Sequence, residues 1–152
     1  MGKKGGRGRR RLALAIAAFL VVLAFLIRRT GLTPTPGDAF DPSEYRDVPV
    51  LSTEATAGHV GSRAVVCGAV VNSVFASGTR GQPTFLNLDR TFPDQPFDLV
   101  IWGRNRNAFP SPPEVAYQGE HVCAAGRITE HQGVPRIEVS SPSQIRIGPE
   151  GW

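Results

Sequence analysis

The stretch from Ala64 to Phe75 holds five valines and has a glycine, Gly68, near its middle. β-Branched side chains are stiff at χ1 and favour extended backbone, so these residues predict one long strand. A glycine inside a strand permits a sharp bend. This strand is therefore expected to take part in two sheets at once, which points to an all-β fold whose sheet closes on itself.

Four further stretches read as strands: Thr84 to Asp89, Phe97 to Trp102, Glu120 to Thr129 and Pro135 to Ile147. Turn signals separate them, at Ser77 to Gly81, Pro93 to Pro96, the proline-rich 110–113 and Gln132-Gly133. Between the third and fourth strands, Asn105 to Gln118 is longer and irregular, with a helical turn expected at Glu114 to Tyr117. Before the first strand, Ser52 to Gly58 predicts a short helix, capped by Ser52 or Thr53 and ended by Gly58. Five strands with their one long connection between the third and fourth match the layout of a five-stranded OB-fold barrel. Within "GQPTFLNLDR", Leu86 and Leu88 alternate with Phe85, Asn87 and Asp89. The leucines are assigned to the core and the other three to the opposite face.

The N-terminal quarter is of another kind. Leu12 to Ile27 is sixteen residues without a charge or a proline. As a helix it is about 24 Å long, against a hydrocarbon core of about 30 Å, and Arg11 and Arg28 can snorkel to lengthen the span. The run has no polar face, which argues against a buried globular helix. Six basic residues precede it and two follow, so the positive-inside rule puts the N-terminus in the cytoplasm and residues 30–152 across the cytoplasmic membrane. A cleaved secretory signal shares this charged start and apolar middle, but the end of the run has no small-x-small site. Arg9-Arg10-Arg11 weakly resembles the start of a twin-arginine export signal, without the rest of that pattern. The expected organisation is a basic cytoplasmic arm at 1–11, a transmembrane signal anchor at 12–29 contacting the membrane through residues 12–27, a Pro-rich acidic tether at 30–51 and an OB-fold domain at 52–148.

Charge follows the same divisions. Residues 1–29 carry +8, residues 30–57 carry −4, and residues 58–152 hold eight arginines and eight acids. The overall net charge of +4 therefore belongs to the arm. The globular part is neutral, so composition gives it no phosphate-binding character, and any such character rests on local clustering.

The order "VVCGAVV", "PTFLNLD", "FDLVIWG", "YQGEHVCAAGRITEHQGVPRIEVSSPSQI" resembles the anticodon-binding-type OB-fold of nucleic-acid-binding proteins. It is also similar to small bacterial OB domains, some attached to nuclease modules. The resemblance covers about residues 52–147 and falls mostly on core and turn positions. It implies a barrel whose second and third strands, with the loops joining strands one to two and four to five, form the binding surface. On that surface Phe85 and Trp102 would stack bases, Asn87 would hydrogen-bond a base edge, and Arg80, Arg104 and Arg106 would meet phosphates, with His131 on the second loop. Stacking contributes about 1–3 kcal/mol per base. The plainer alternative has Phe85 or Trp102 packed under a loop or the tether and the arginines solvated. Asp89 and Asp98 would repel a phosphate backbone, and Asp89 is also read as a fold feature.

Nothing in the sequence assembles a catalytic site. His59, His121 and His131 lack metal-ligand spacing, and Ser140, Ser141 and Ser143 lack a nucleophile-elbow context. The acid–arginine constellation and helical tail of staphylococcal-type nucleases are not found. No enzyme activity, cofactor or metal is expected. Cys67 and Cys123 each open a "V-C" on neighbouring strands, so they are either a disulfide, which an exporting compartment permits, or two buried thiols. The expected function is a membrane-tethered, extracytoplasmic OB-fold binding module for single-stranded nucleic acid or another extended polymer. Two alternatives stand beside it: a structural or protein-interaction module of the envelope, with an envelope protein as partner, and an accessory domain to a separate nuclease.

Overall fold

The computed structural model describes residues 42–148. The basic arm, the apolar run 12–27 and residues 30–41 of the expected tether lie outside the described residues. Among the described residues no helix is long and apolar enough to cross a membrane.

Seven strands form among the described residues: β1 (Val50–Ser52), β2 (Arg63–Phe75), β3 (Thr84–Leu88), β4 (Phe97–Ile101), β5 (His121–His131), β6 (Val134–Glu138) and β7 (Ile145–Ile147). The long valine-rich strand, β2, divides its partners as its glycine suggested. Arg63 to Ala69 pairs antiparallel with β5, and Val70 to Phe75 pairs antiparallel with β3, with a register shift between Val70 and Asn72. From β3 the ladder runs antiparallel to β4, then parallel to β6, antiparallel to β5 and so back to β2. This is the strand order of an OB-like barrel. Its interior holds Leu86 and Leu88 of β3, Phe97, Leu99 and Ile101 of β4, Ile128 of β5 and Ile137 of β6, all fully buried.

Gly68 also provides space. A Cβ there would lie 2.9 Å from both Asp89 Oδ2 and Thr53 Cγ2. The Asp89 carboxylate accepts hydrogen bonds from the Thr53 hydroxyl, at 2.5 Å, and from the Ala69 amide, at 2.8 Å. It thus ties the end of β3 to β2 and to the 3-10 turn Thr53–His59. Asp89 is a fold residue, and its acid is spent on the structure.

The barrel carries two strands more than the five expected, for identifiable reasons. The last expected strand, Pro135 to Ile147, is broken by a 3-10 turn at Pro142–Gln144 with a capping box on Ser141. The Gln144 carbonyl oxygen accepts from the amides of Ser140, at 2.8 Å, and Ser141, at 3.1 Å, while its amide donates to the Ala125 carbonyl, at 3.1 Å. The chain turns there and returns as β7, antiparallel to β5. At the other end, β1 pairs in parallel with β2, so residues 50 and 51, within the expected tether, are part of a sheet. The helix expected at Ser52 to Gly58 is a 3-10 turn, and the expected turn at Glu114 to Tyr117 is a helical turn at Pro113–Ala116.

A second, smaller apolar cluster lies on the outer side of β2 and β5. Tyr45 packs there with Val65, Cys123 and Ala125, beside Val48 and Cys67. Cys67 and Cys123 face each other directly across the β2–β5 ladder and are joined in a disulfide.

Candidate functional site

The outer face of β2, β3, β4 and β6 is set by ladder register. One cross-strand row reads Val74, Phe85, Val100, Glu138, and the next reads Asn72, Asn87, Asp98, Arg136. The second row is a hydrogen-bonded chain. The Asn72 amide donates to the Asn87 carbonyl oxygen at 3.1 Å, the Asn87 amide donates to Asp98 Oδ1 at 2.7 Å, and the Gln95 amide donates to Asp98 Oδ2 at 3.2 Å. Burial pushes the Asp98 carboxyl above its ordinary range, against the opposing effects of these two amides and of the Arg136 charge.

Above this row lies a concave pocket of about 370 Å³. Asn87, Asp98 and Arg136 line it from the strands, while Phe92 and Gln95 come from the β3–β4 loop and His131 from the end of β5. Phe85 lines it from the adjoining row, half-buried, and Phe92 is 73% exposed. Two buried side-chain polar atoms among the described residues lack a hydrogen-bond partner, Gln95 Oε1 and Arg136 Nε. Both residues line this pocket.

Trp102 follows β4, four residues and about 13 Å along the strand from Asp98. Its indole N–H donates to Glu138 Oε2 at 2.9 Å. Gly81, with φ of 83°, lies against its ring, where a Cβ would come within 3.0 Å of Cε3 and Cζ3. The ring is half-buried, and the Arg104 guanidinium sits 6.0 Å from its centroid.

The residues singled out in the sequence divide into three groups. Phe85, Asn87 and His131 converge on the pocket. Trp102 and Arg104 sit together at the other end of β4, and Arg80 is exposed on the β2–β3 loop. Arg106 is committed elsewhere. It pairs with Glu114 through two hydrogen bonds, at 2.7 and 3.0 Å, donates to the Thr84 hydroxyl, and lies 3.8 Å over the Phe75 ring. The pairing holds the Glu114 carboxyl below its ordinary range. Asn87, expected to read a ligand edge, is 4% exposed with both ends of its amide engaged, so it orders the floor instead.

Phe92, Gln95 and Arg136 were not foreseen. Phe92 has a local signal, an aromatic beside a proline in a turn. Gln95 and Arg136 have none, because only the β4–β6 register brings Arg136 opposite Asp98.

No family model matches the chain, and no curated protein matches its sequence. Among solved structures, one partial match is an aspartyl-tRNA synthetase from Leishmania major Friedlin, at 10% identity and a TM-score of 0.41, over 82% of this chain and 25% of that one. Another is the Entamoeba histolytica asparaginyl-tRNA synthetase in complex with asparaginyl-adenylate, at 17% identity and a TM-score of 0.41, over 64% of this chain and 23% of that one. The chain thus spans about a quarter of the length of each. The barrel is OB-like by its own ladder order.

Proposed function

We propose that this chain is a non-catalytic binding module, anchored in the cytoplasmic membrane by residues 12–27 with its barrel on the outer side, that holds an extended polymer along the β3–β4–β6 face. The observation that supports this most is the pocket, whose floor is a fixed polar row and whose sides include Phe85 and the exposed Phe92. A concave site of this size is near the lower end of the range for small-ligand pockets, roughly 300–1,000 Å³. The face continues for about 13 Å along β4 to Trp102 and Arg104, a length suited to a chain rather than a single small molecule. A single-stranded nucleic acid would stack on Trp102 and Phe85, with Arg80 and Arg104 near its phosphates.

Mapping backbone amide shifts of the full chain during titration with single-stranded oligonucleotides and with neutral oligosaccharides tests the reading. Perturbations should gather on β3, β4, β6 and the loops at Phe92 and His131. Shifts gathered instead at the sheet edges β1 and β7 would favour the protein-docking alternative, since those edges end the strand order. Topology is tested separately. Protease added to intact spheroplasts should remove the barrel, and a barrel that survives until lysis would reverse the orientation.

A further inference from the structure

We propose that Glu138 is a positioning residue of the β3–β4–β6 face: its carboxylate holds the Trp102 ring in the orientation that a bound polymer meets. This rests on the reading of that face as the ligand face and gives one more of its side chains a role. Three observations carry it.

The first is where the sheet stops. Asp98 and Val100 of β4 stand opposite Arg136 and Glu138 of β6, and Val100–Glu138 is the last pair of that ladder. The β3–β4 ladder ends at the pair Thr84–Ile101. Trp102 therefore lies beyond both ladders, on the outer side that Asp98 and Val100 also occupy by strand alternation. A large side chain at the end of a strand keeps rotamer freedom unless a contact removes it.

The second is how the ring is held. Gly81 lies against Cε3 and Cζ3 of the six-membered ring, and the N–H of the five-membered ring donates to Glu138 Oε2 at 2.9 Å. The two contacts fall on different rings of the indole, so together they fix its rotation. Without the hydrogen bond, the Gly81 contact alone bears on one end.

The third is that the carboxylate is shared. Glu138 Oε1 accepts from Arg136 Nη2 at 3.4 Å, and Arg136 lines the pocket. One acid thus joins the aromatic at one end of the face to the guanidinium beside Asp98. Its side chain is 43% exposed, so core packing does not account for it. By charge alone, an acid here disfavours a polyanion.

Glu138→Gln keeps an acceptor for the indole and Glu138→Ala does not, while both remove the same charge. In the full chain in detergent micelles, the Trp102 indole N–H is told apart from that of the second tryptophan by its loss in Trp102→Phe. Its nitrogen relaxation should report a rigid ring in the wild type and in Glu138→Gln, and a mobile ring in Glu138→Ala. Each protein is titrated with a short oligothymidylate and with a glucose tetramer. For whichever the wild type binds, Glu138→Ala should bind about two- to tenfold more weakly than Glu138→Gln, the cost of ordering one side chain on binding. In a Trp102→Phe background, which has no N–H to hold, that difference should vanish. A ring equally rigid in all three, equal affinities of the two variants, or a difference that persists without the indole would overturn the positioning role and leave the ligand face standing. Binding of neither polymer by the wild type, with no amide shifts on the face, would remove both.

Discussion

The barrel has two outer faces that its own chain treats in opposite ways. On the β2–β5 side, Tyr45 and Val48 pack over the sheet, Tyr45 is 8% exposed, and the buried contents are apolar or a disulfide. On the β3–β4–β6 side the chain supplies loops at the margins and leaves the middle open over a row of amides, a carboxyl and a guanidinium. Both faces belong to strands whose inward residues fill the same core, so the core does not distinguish them. What differs is whether a face has been closed by packing or equipped with polar groups that need partners. A covered face stabilises the fold, whereas an open polar face costs stability and is kept where something else is to be bound.

The comparison can be broken by substitutions on either side. The largest effect is expected at the disulfide. Closing a loop with a sequence separation of 56 stabilises by about 4 kcal/mol on the chain-entropy model, so Cys67→Ser with Cys123→Ser should lower stability by about that amount in urea unfolding. An unchanged midpoint would deny the covered face its stabilising role. Tyr45→Ala on the same side should cost about 3 kcal/mol, in line with other buried aromatic truncations, while leaving ligand titrations of the open face unaltered.

Arg106→Ala should cost about 1–2 kcal/mol, less than a fully buried pair because both partners retain some exposure, and should not change the salt dependence of any ligand. A flattened salt dependence would return Arg106 to the ligand face. The same pair has a pH signature. Glu114 is held below its ordinary value of 4.5, so its contribution is present above that value and is lost as pH falls through the lowered one. The stability difference between wild type and Glu114→Gln, followed by acid titration, should therefore shrink at low pH. The smallest effect belongs to the open face: Phe92→Ala should change stability by less than about 0.5 kcal/mol, although it removes a wall of the pocket. A larger loss would mean that Phe92 packs as part of the fold.

Much of this was legible in the sequence where local pattern decides. The alternation of Phe85, Leu86, Asn87 and Leu88 gave the inward and outward sides of β3, and Gly68 lies two residues before the point at which β2 changes partners. The paired "V-C" stretches placed two cysteines on neighbouring strands, and register then decided between bond and thiols. Register and long-range pairing were not legible. Asp98 meets Arg136 through a parallel ladder between strands 38 positions apart. Arg106 meets Glu114 across a proline-rich connection, and no periodicity links them. The break at Pro142 lay within a stretch apolar enough to pass for one strand, and only the Gln144 side chain, bonded to Ser140, Ser141 and Ala125, shows why it turns.

The Cys67–Cys123 bond also sets how load would cross the domain. If an anchor pulls from the N-terminal side while a polymer pulls on the open face, tension enters through residue 42 and follows the backbone to Cys67. There it can pass over the sulfur bridge to Cys123 and along β5 to His131, at the margin of the pocket. That route is covalent throughout. It bypasses residues 68–122, so load that enters at residue 42 reaches β5 without passing in series along the backbone of β3 and β4. The bridge would thus act as a mechanical shunt for load from the N-terminal side, leaving β3 and β4 to carry only what the ligand itself applies to them.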